Sequence, residues 1–359
     1  MLRLASRFFS LQDDAVNWVQ REALAEAAFA PLESTIGHQV LALDNAAIPT
    51  PEAALVKLDA TLEAVVSQVK IGSMPQTTDE AVAVLSQIES VLIRQNYACS
   101  IPYRVANFSE GLLPRPLNLE LTRDSTNRLR RAHMLEHAGE LFSIVDCDLG
   151  SLLYLSIADR LGLPLVMVEV PEHNFIRWIF DNGLPHLNWD TNYGYSVFSD
   201  EGYISHHGVP PETISQGVFL ANMTRTTVLG YFNQCRGLAW QSLKEYERAL
   251  AEYRLSTQAN PKAPNPLNNL AWLYASSRKA QKFVAAAEEI ESAEKAVNLF
   301  RHPDLLDTLG CTYAEAGDFA KALQAEKAAY QMSGNPQFLE LIEAFENNRT
   351  YLDLHPEVE

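Results

Sequence analysis

The stretch from Cys147 to Thr191, "CDLGSLLYLSIADRLGLPLVMVEVPEHNFIRWIFDNGLPHLNWDT", admits few folds because its hydrophobic period changes along its length. Leu149, Leu152, Leu153, Leu155, Ile157, Ala158 and Leu161 follow a helical period that Gly162 stops. Leu163–Val170 is then a short valine-rich run, the mark of a buried strand. Pro171 interrupts it. Asp181-Asn182-Gly183 separates two aromatic and apolar runs, a hairpin signal. A two-residue Asn-Gly turn there sets His173 across from Asn192, with Asp190 two positions away and within diagonal reach. A bulge at Pro185 would shift this pairing by one.

These elements place Cys147, His173 and Asp190 at their edges. Asp146 suits a helix N-cap, so Cys147 opens the helix, where unpaired N–H groups and the positive dipole end favour a thiolate. Asp146 and Asp148 oppose this, since nearby negative charge raises a thiol's pKa. A partner cation is therefore required, and an imidazolium supplies one. His173 is the candidate, with Asp190 holding its tautomer. Taken singly, a buried cysteine, a strand-opening histidine and a turn aspartate are ordinary structural residues. Their order and placement together point to thiol chemistry.

The runs C-D-L-G-S-L-L-Y-L-x-x-A-x-R-L-G-L-P-L, P-E-H-N-F-I-R-W and N-W-D-T resemble the bacterial transglutaminase-like domain, in the branch of the Sir B type. The resemblance covers Asp79 to Gly194. It implies a papain-like triad with Cys147 as nucleophile, His173 as base and Asp190 as orienting group. The chain departs from the wider superfamily at Asn174 and Phe175, and in its short span from cysteine to histidine. Members of that branch that lack the cysteine imply the alternative, an inactive scaffold for protein–protein interaction.

Ahead of this core the sequence predicts helices over 11–29, 51–69, 79–96 and 126–141, with a loop-rich stretch at 97–125. Beyond "HHGVPPE" at 206–212 the pattern turns wholly helical. Gly237, Trp240, Ala249, Tyr253 and Pro261 fall at the spacing of a tetratricopeptide repeat, and Gly310, Tyr313 and Ala322 repeat its first part. "NNLAWLYA" at 268–275 opens a middle repeat with a delayed second helix carrying Ala293 and Ala296. Cys235 and Cys311 read as packing residues in the first helices of these repeats. The expected fold is α+β: a helical region at 1–78, a transglutaminase-like core of helix on antiparallel sheet at 79–212, an all-α repeat domain at 213–345 and a tail at 346–359.

A formal charge of −17 over 359 residues argues against nucleic acid or an anionic membrane as partner. The four cysteines form no CxxC pair, so neither a zinc knuckle nor a disulfide framework is indicated, and a reducing cytoplasm is the simplest compartment. No apolar run reaches membrane-spanning length. The opening "MLRLASRFFS" reads as the first turns of an amphipathic helix rather than a transit peptide. His133 and His137 have metal-compatible spacing, yet the glutamate stands before the second histidine rather than after the first, so no metal is expected. Without a Gly-rich phosphate loop, no cofactor is expected either. His206-His207 reads as a solvated turn, His186 as a neighbour of Asp190, Trp189 as a core residue or else a shield for the histidine–aspartate pair, and the Cys147 N–H as one candidate oxyanion donor. The expected activity is cysteine-dependent amide hydrolysis or acyl transfer, with the repeats holding a protein or peptide substrate or adaptor.

Overall fold

A computed structural model describes residues 33–47, 50–99, 107–117, 128–192 and 198–356. The chain is mixed α+β and mostly helical, and it divides into two compact units. The first holds the described residues up to Pro210 together with Phe219–Val228. The helix expected over 11–29 lies outside the described residues.

The first unit begins with α1 (Ile36–Ala47), α2 (Glu52–Gln68) and α3 (Thr78–Arg94). Thr77 and Glu80 form a capping box at the start of α3, as a Thr-x-x-Glu sequence allows. Then follow β1 (Tyr97–Cys99), α4 (Phe108–Leu112), β2 (Arg115–Pro116), α5 (Arg128–Glu136) and β3 (Leu141–Val145). β3 pairs in parallel with β1 and antiparallel with β2. The sequence reading missed this sheet. It ran a helix to residue 141 and left 97–99 in loop, because strands this short carry too few alternations to register. The helix in fact stops at Glu136, and Gly139 adopts a φ of 104° that ends it.

α6 (Cys147–Leu161) is the centre of this unit. Every residue from Leu149 to Ala158 is buried. A helix buried on all sides must satisfy its polar groups internally or through neighbours. Ser156 donates to the Leu152 carbonyl and accepts from the Gly37 N–H at 3.0 Å. Asp159 accepts from the Ile36 N–H and from Arg225. Gly37 is required where α1 meets α6, because a Cβ there would sit 2.4 Å from the Ser156 hydroxyl. Tyr154 donates to Glu89 of α3, which also holds Arg130 of α5 through two hydrogen bonds at 2.7 and 2.8 Å. Removing one partner from so deeply buried an ion pair costs about 3–5 kcal/mol.

β4 (Leu165–Val170), β5 (His173–Trp178) and β6 (Leu187–Trp189) form an antiparallel sheet with β5 central. Ile176 faces Trp189, Arg177 faces Asn188 and Trp178 faces Leu187, the register expected from the sequence. The connection differs. Pairing stops at Trp178 and Leu187 instead of running to an Asn-Gly turn, since Pro185 has no N–H to donate. Pro171 also does more than interrupt: Val170 pairs with His173, so Pro171-Glu172 is a two-residue turn, with Glu172 at a φ of 60°. Strand alternation sends Asn174, Ile176 and Trp178 to one face and His173, Phe175 and Arg177 to the other. α6 covers the first face, where Gly150 lets the helix approach Thr191. α7 (Asp200–His207) covers the second. Its Tyr203 stacks on Phe175 with ring centroids 3.8 Å apart, and its Asp200 accepts from Arg177.

The second unit holds α8 (Pro211–Ser215), most of α9 (Arg225–Ser242), α10 (Tyr246–Ala259), α11 (Pro264–Ser276), α12 (Ala286–Leu299), α13 (Pro303–Glu315), α14 (Phe319–Ser333), α15 (Phe338–Glu346) and α16 (Tyr351–Leu354). Small residues mark the close approaches. A Cβ on Gly237 would lie 2.4 Å from the Tyr253 ring, and one on Gly310 would lie 3.0 Å from a Glu326 oxygen. Ala249, Ala296 and Ala322 are fully buried. A 3-10 turn (Ala280–Phe283) separates α11 from α12. Cys311 is buried in α13 and Cys235 half-buried in α9. Leu352 of α16 is buried, so residues 351–354 pack as part of this unit.

Glu326 of α14 is wholly buried beside Asp307 of α13. Burial, then the neighbouring carboxyl, pushes Glu326 well above the usual carboxylate range. An acid raised in the folded state stabilises it fully below the unfolded pKa, and that contribution is lost as pH rises through the folded value. Protection against hydrogen exchange in α13 and α14, corrected for intrinsic rate, should therefore fall between about pH 5 and about pH 9. In Glu326→Gln most of that fall should vanish, leaving a remainder from Asp307 and Glu289, which burial also raises. A fall of equal size in the variant would contradict the assignment.

Candidate functional site

Cys147 is the first residue of α6, capped by Asp146, whose side chain accepts from the Leu149 N–H at 3.1 Å. The sulfur is half-buried. It donates to Asp148 Oδ1 at 3.3 Å. The backbone N–H of Asn174, next in sequence to His173, is directed at the sulfur. Burial, then Asp148, then Asp146 push the thiol far above its ordinary value, and the Asn174 N–H only partly opposes them. The helix N-terminus thus does not by itself give a thiolate here. Asp146 is raised by burial and by Asp148. Glu169 of β4 is pushed up to about 7 by burial and then by Asp148.

His173 and Asp190 meet as the sequence placed them. His173 Nε2 lies 2.7 Å from Asp190 Oδ2, and both side chains are nearly buried. An ionised carboxylate only accepts, so the neutral ring carries its proton on Nε2 and a lone pair on Nδ1. Nδ1 has no hydrogen-bond partner among the described residues. Asp190 is 1% exposed. Its Oδ1 accepts from the Asn192 N–H at 2.9 Å, and its Oδ2 also accepts from the Tyr203 hydroxyl at 3.1 Å. Asn192 in turn accepts from the Cys99 thiol at 2.9 Å.

Several residues take other places than the sequence suggested. His206 and His207 form the last turn of α7, which Ser199 caps and Gly208 ends. His207 stacks on His173 with centroids 5.2 Å apart and planes 4° apart, and its Nδ1–H donates to the Pro171 carbonyl. Burial, then His173, then His206 lower its pKa. Trp189 is a wholly buried core residue, the first of its two readings. It pairs with Ile176 and so points to the α6 face, against Tyr154. Tyr203 and His207 provide the cover instead. His186 is bound to Asp200 at 3.1 Å rather than to Asp190. The signals for α7 were a Ser-Asp-Glu start and a Gly stop, and its short span hid them.

His133 and His137 have rings 4.2 Å apart, tied to Asn96 and Glu140 respectively. No group of three or more His, Cys, Asp or Glu side chains among the described residues is arranged to hold a metal ion. No helix among the described residues is long and apolar enough to cross a membrane. Compared with known proteins, the chain matches no family model and no curated sequence.

Burial is the largest restraint on the sulfur and the adjacent Asp148 the next. Asp148→Asn removes a negative charge and keeps an acceptor for the Asn174 amide, so it should speed iodoacetamide alkylation of Cys147 several-fold at mildly alkaline pH. Quantitative mass spectrometry of the labelled peptide reads this. An unchanged rate would mean that burial alone restrains the thiol.

Proposed function

We propose that this chain is a cysteine-dependent amide hydrolase or acyl transferase with a transglutaminase-like, papain-like core and tetratricopeptide repeats. Cys147 is the nucleophile, His173 the base and Asp190 the orienting carboxylate. The observation that carries the reading is the buried His173–Asp190 bond, which leaves a lone pair on Nδ1; the sulfur itself bonds Asp148, and no hydrogen bond joins it to His173 among the described residues. In this mechanism the Cys147 S–H proton passes to His173 Nδ1 as sulfur attacks an amide carbonyl carbon. The tetrahedral intermediate collapses, the C–N bond breaks, and Nδ1–H protonates the leaving amine. Water, or a second amine, then attacks the thioester, giving its proton to Nδ1. The C–S bond breaks and sulfur recovers the proton. Asp190 stays ionised and stabilises the imidazolium.

The helices of the second unit, brought close at Gly237 and Gly310, support the repeat reading and a role in holding a protein or peptide substrate or adaptor. The absence of a disulfide among the described residues supports a reducing, cytoplasmic setting. A second reading, an inactive scaffold for protein–protein interaction, draws on one observation: the thiol is turned to Asp148, and its acidic surroundings keep it protonated.

Alkylation of Cys147 at neutral pH separates the two. Under the enzymatic reading, His173→Ala slows labelling of Cys147 and leaves half-buried Cys235 unaffected. Equal, slow labelling of Cys147 in wild type and variant favours the scaffold.

A further inference from the structure

The environment of Asp190 reaches beyond the three residues of the proposed triad. Oδ2 serves two donors at once, the His173 Nε2–H at 2.7 Å and the Tyr203 hydroxyl at 3.1 Å. Tyr203 is 2% exposed. Its ring is fixed by the near-parallel stack on Phe175, with planes 4° apart, and Phe198 packs against it at 5.4 Å. Phe175 belongs to the same strand face as His173. The phenol is therefore placed by the strand that carries the imidazole, and it reaches the carboxylate from the helix covering that face. The Asn192 N–H holds the other oxygen. With Oδ1 pinned by the backbone and Oδ2 by a rigid phenol, the carboxylate has one rotamer in which it can receive the imidazole.

We infer that Tyr203 is a positioning residue that acts through Asp190 on His173, sharing Oδ2 so as to fix the carboxylate plane and to moderate its hold on the Nε2 proton. The inference rests on the proposed triad for its functional meaning, though the hydrogen-bond competition is open to test without any reaction. Two donors on one oxygen divide its charge. Removing the phenol donor concentrates that charge on the Nε2–H bond, and strengthening the donor draws it away.

The test is the proton spectrum of uniformly nitrogen-15-labelled full-length protein. The Nε2–H resonance of His173 is assigned by its loss in His173→Gln. In Tyr203→Phe, which keeps the stack on Phe175, that resonance should move downfield. With 3-fluorotyrosine at position 203, a stronger donor on an unchanged ring, it should move upfield. The fluorinated protein keeps the test decisive should Tyr203→Phe not fold. A resonance unmoved in both, or moved the same way in both, overturns the inference. Cys147 alkylation separates this result from the triad. If His173→Gln leaves labelling unchanged while the resonance moves in opposite senses, the thiol reading fails and the Tyr203 effect stands. If His173→Gln slows labelling and the resonance stays still, only the Tyr203 inference fails.

Discussion

A carboxylate buried to 1% exposure has to be surrounded by donors, and Asp190 organises its end of the sheet around that need. It gathers an imidazole from β5, a phenol from α7 and a backbone N–H from the residue that begins the chain's turn away from β6. Each donor belongs to a different element, so the strand register and the seat of α7 are tied to one charge. His207 adds a second ring over His173 and anchors the Pro171 carbonyl of the tight turn. The imidazole is thereby held in one tautomer and one plane before any ligand arrives. Such preorganisation lets a catalytic group act without reorganising at the moment of reaction.

The cysteine is held by opposing influences. The N-terminus of α6 and the Asn174 N–H favour a thiolate, whereas burial and the flanking aspartates favour the thiol, and the second set prevails in the unliganded chain. Burial and the aspartates thus hold the sulfur in its protonated form. In the proposed chemistry proton transfer accompanies attack, unlike thiol enzymes that rest as an ion pair.

Much of this was legible in the sequence, because the relevant signals are local. The N-cap at Asp146 and the stop at Gly162 bounded α6, and the hairpin register set around Asn182-Gly183 sufficed to bring His173 to Asp190. The pairing of β4 with β5 was harder, since Pro171 reads as a break until Glu172 is seen at positive φ. β1 and β3 are too short to signal themselves, and their parallel pairing is a long-range event. His207 and Tyr203 were missed for a similar reason. Their role depends on where α7 docks, which no local pattern encodes. The restraint on Cys147 was only half visible: Asp146 and Asp148 could be read off the chain, but burial could not.

The central claim, that Cys147 can carry an acyl group with His173 as its proton partner, is tested most directly by intact-protein and peptide mass spectrometry after mixing with an activated acyl ester. The account predicts a hydrolysable acyl adduct on Cys147 that forms faster than on Cys235 and is lost in His173→Ala. Acylation of Cys147 no faster than that of Cys235, and indifferent to His173, would contradict it.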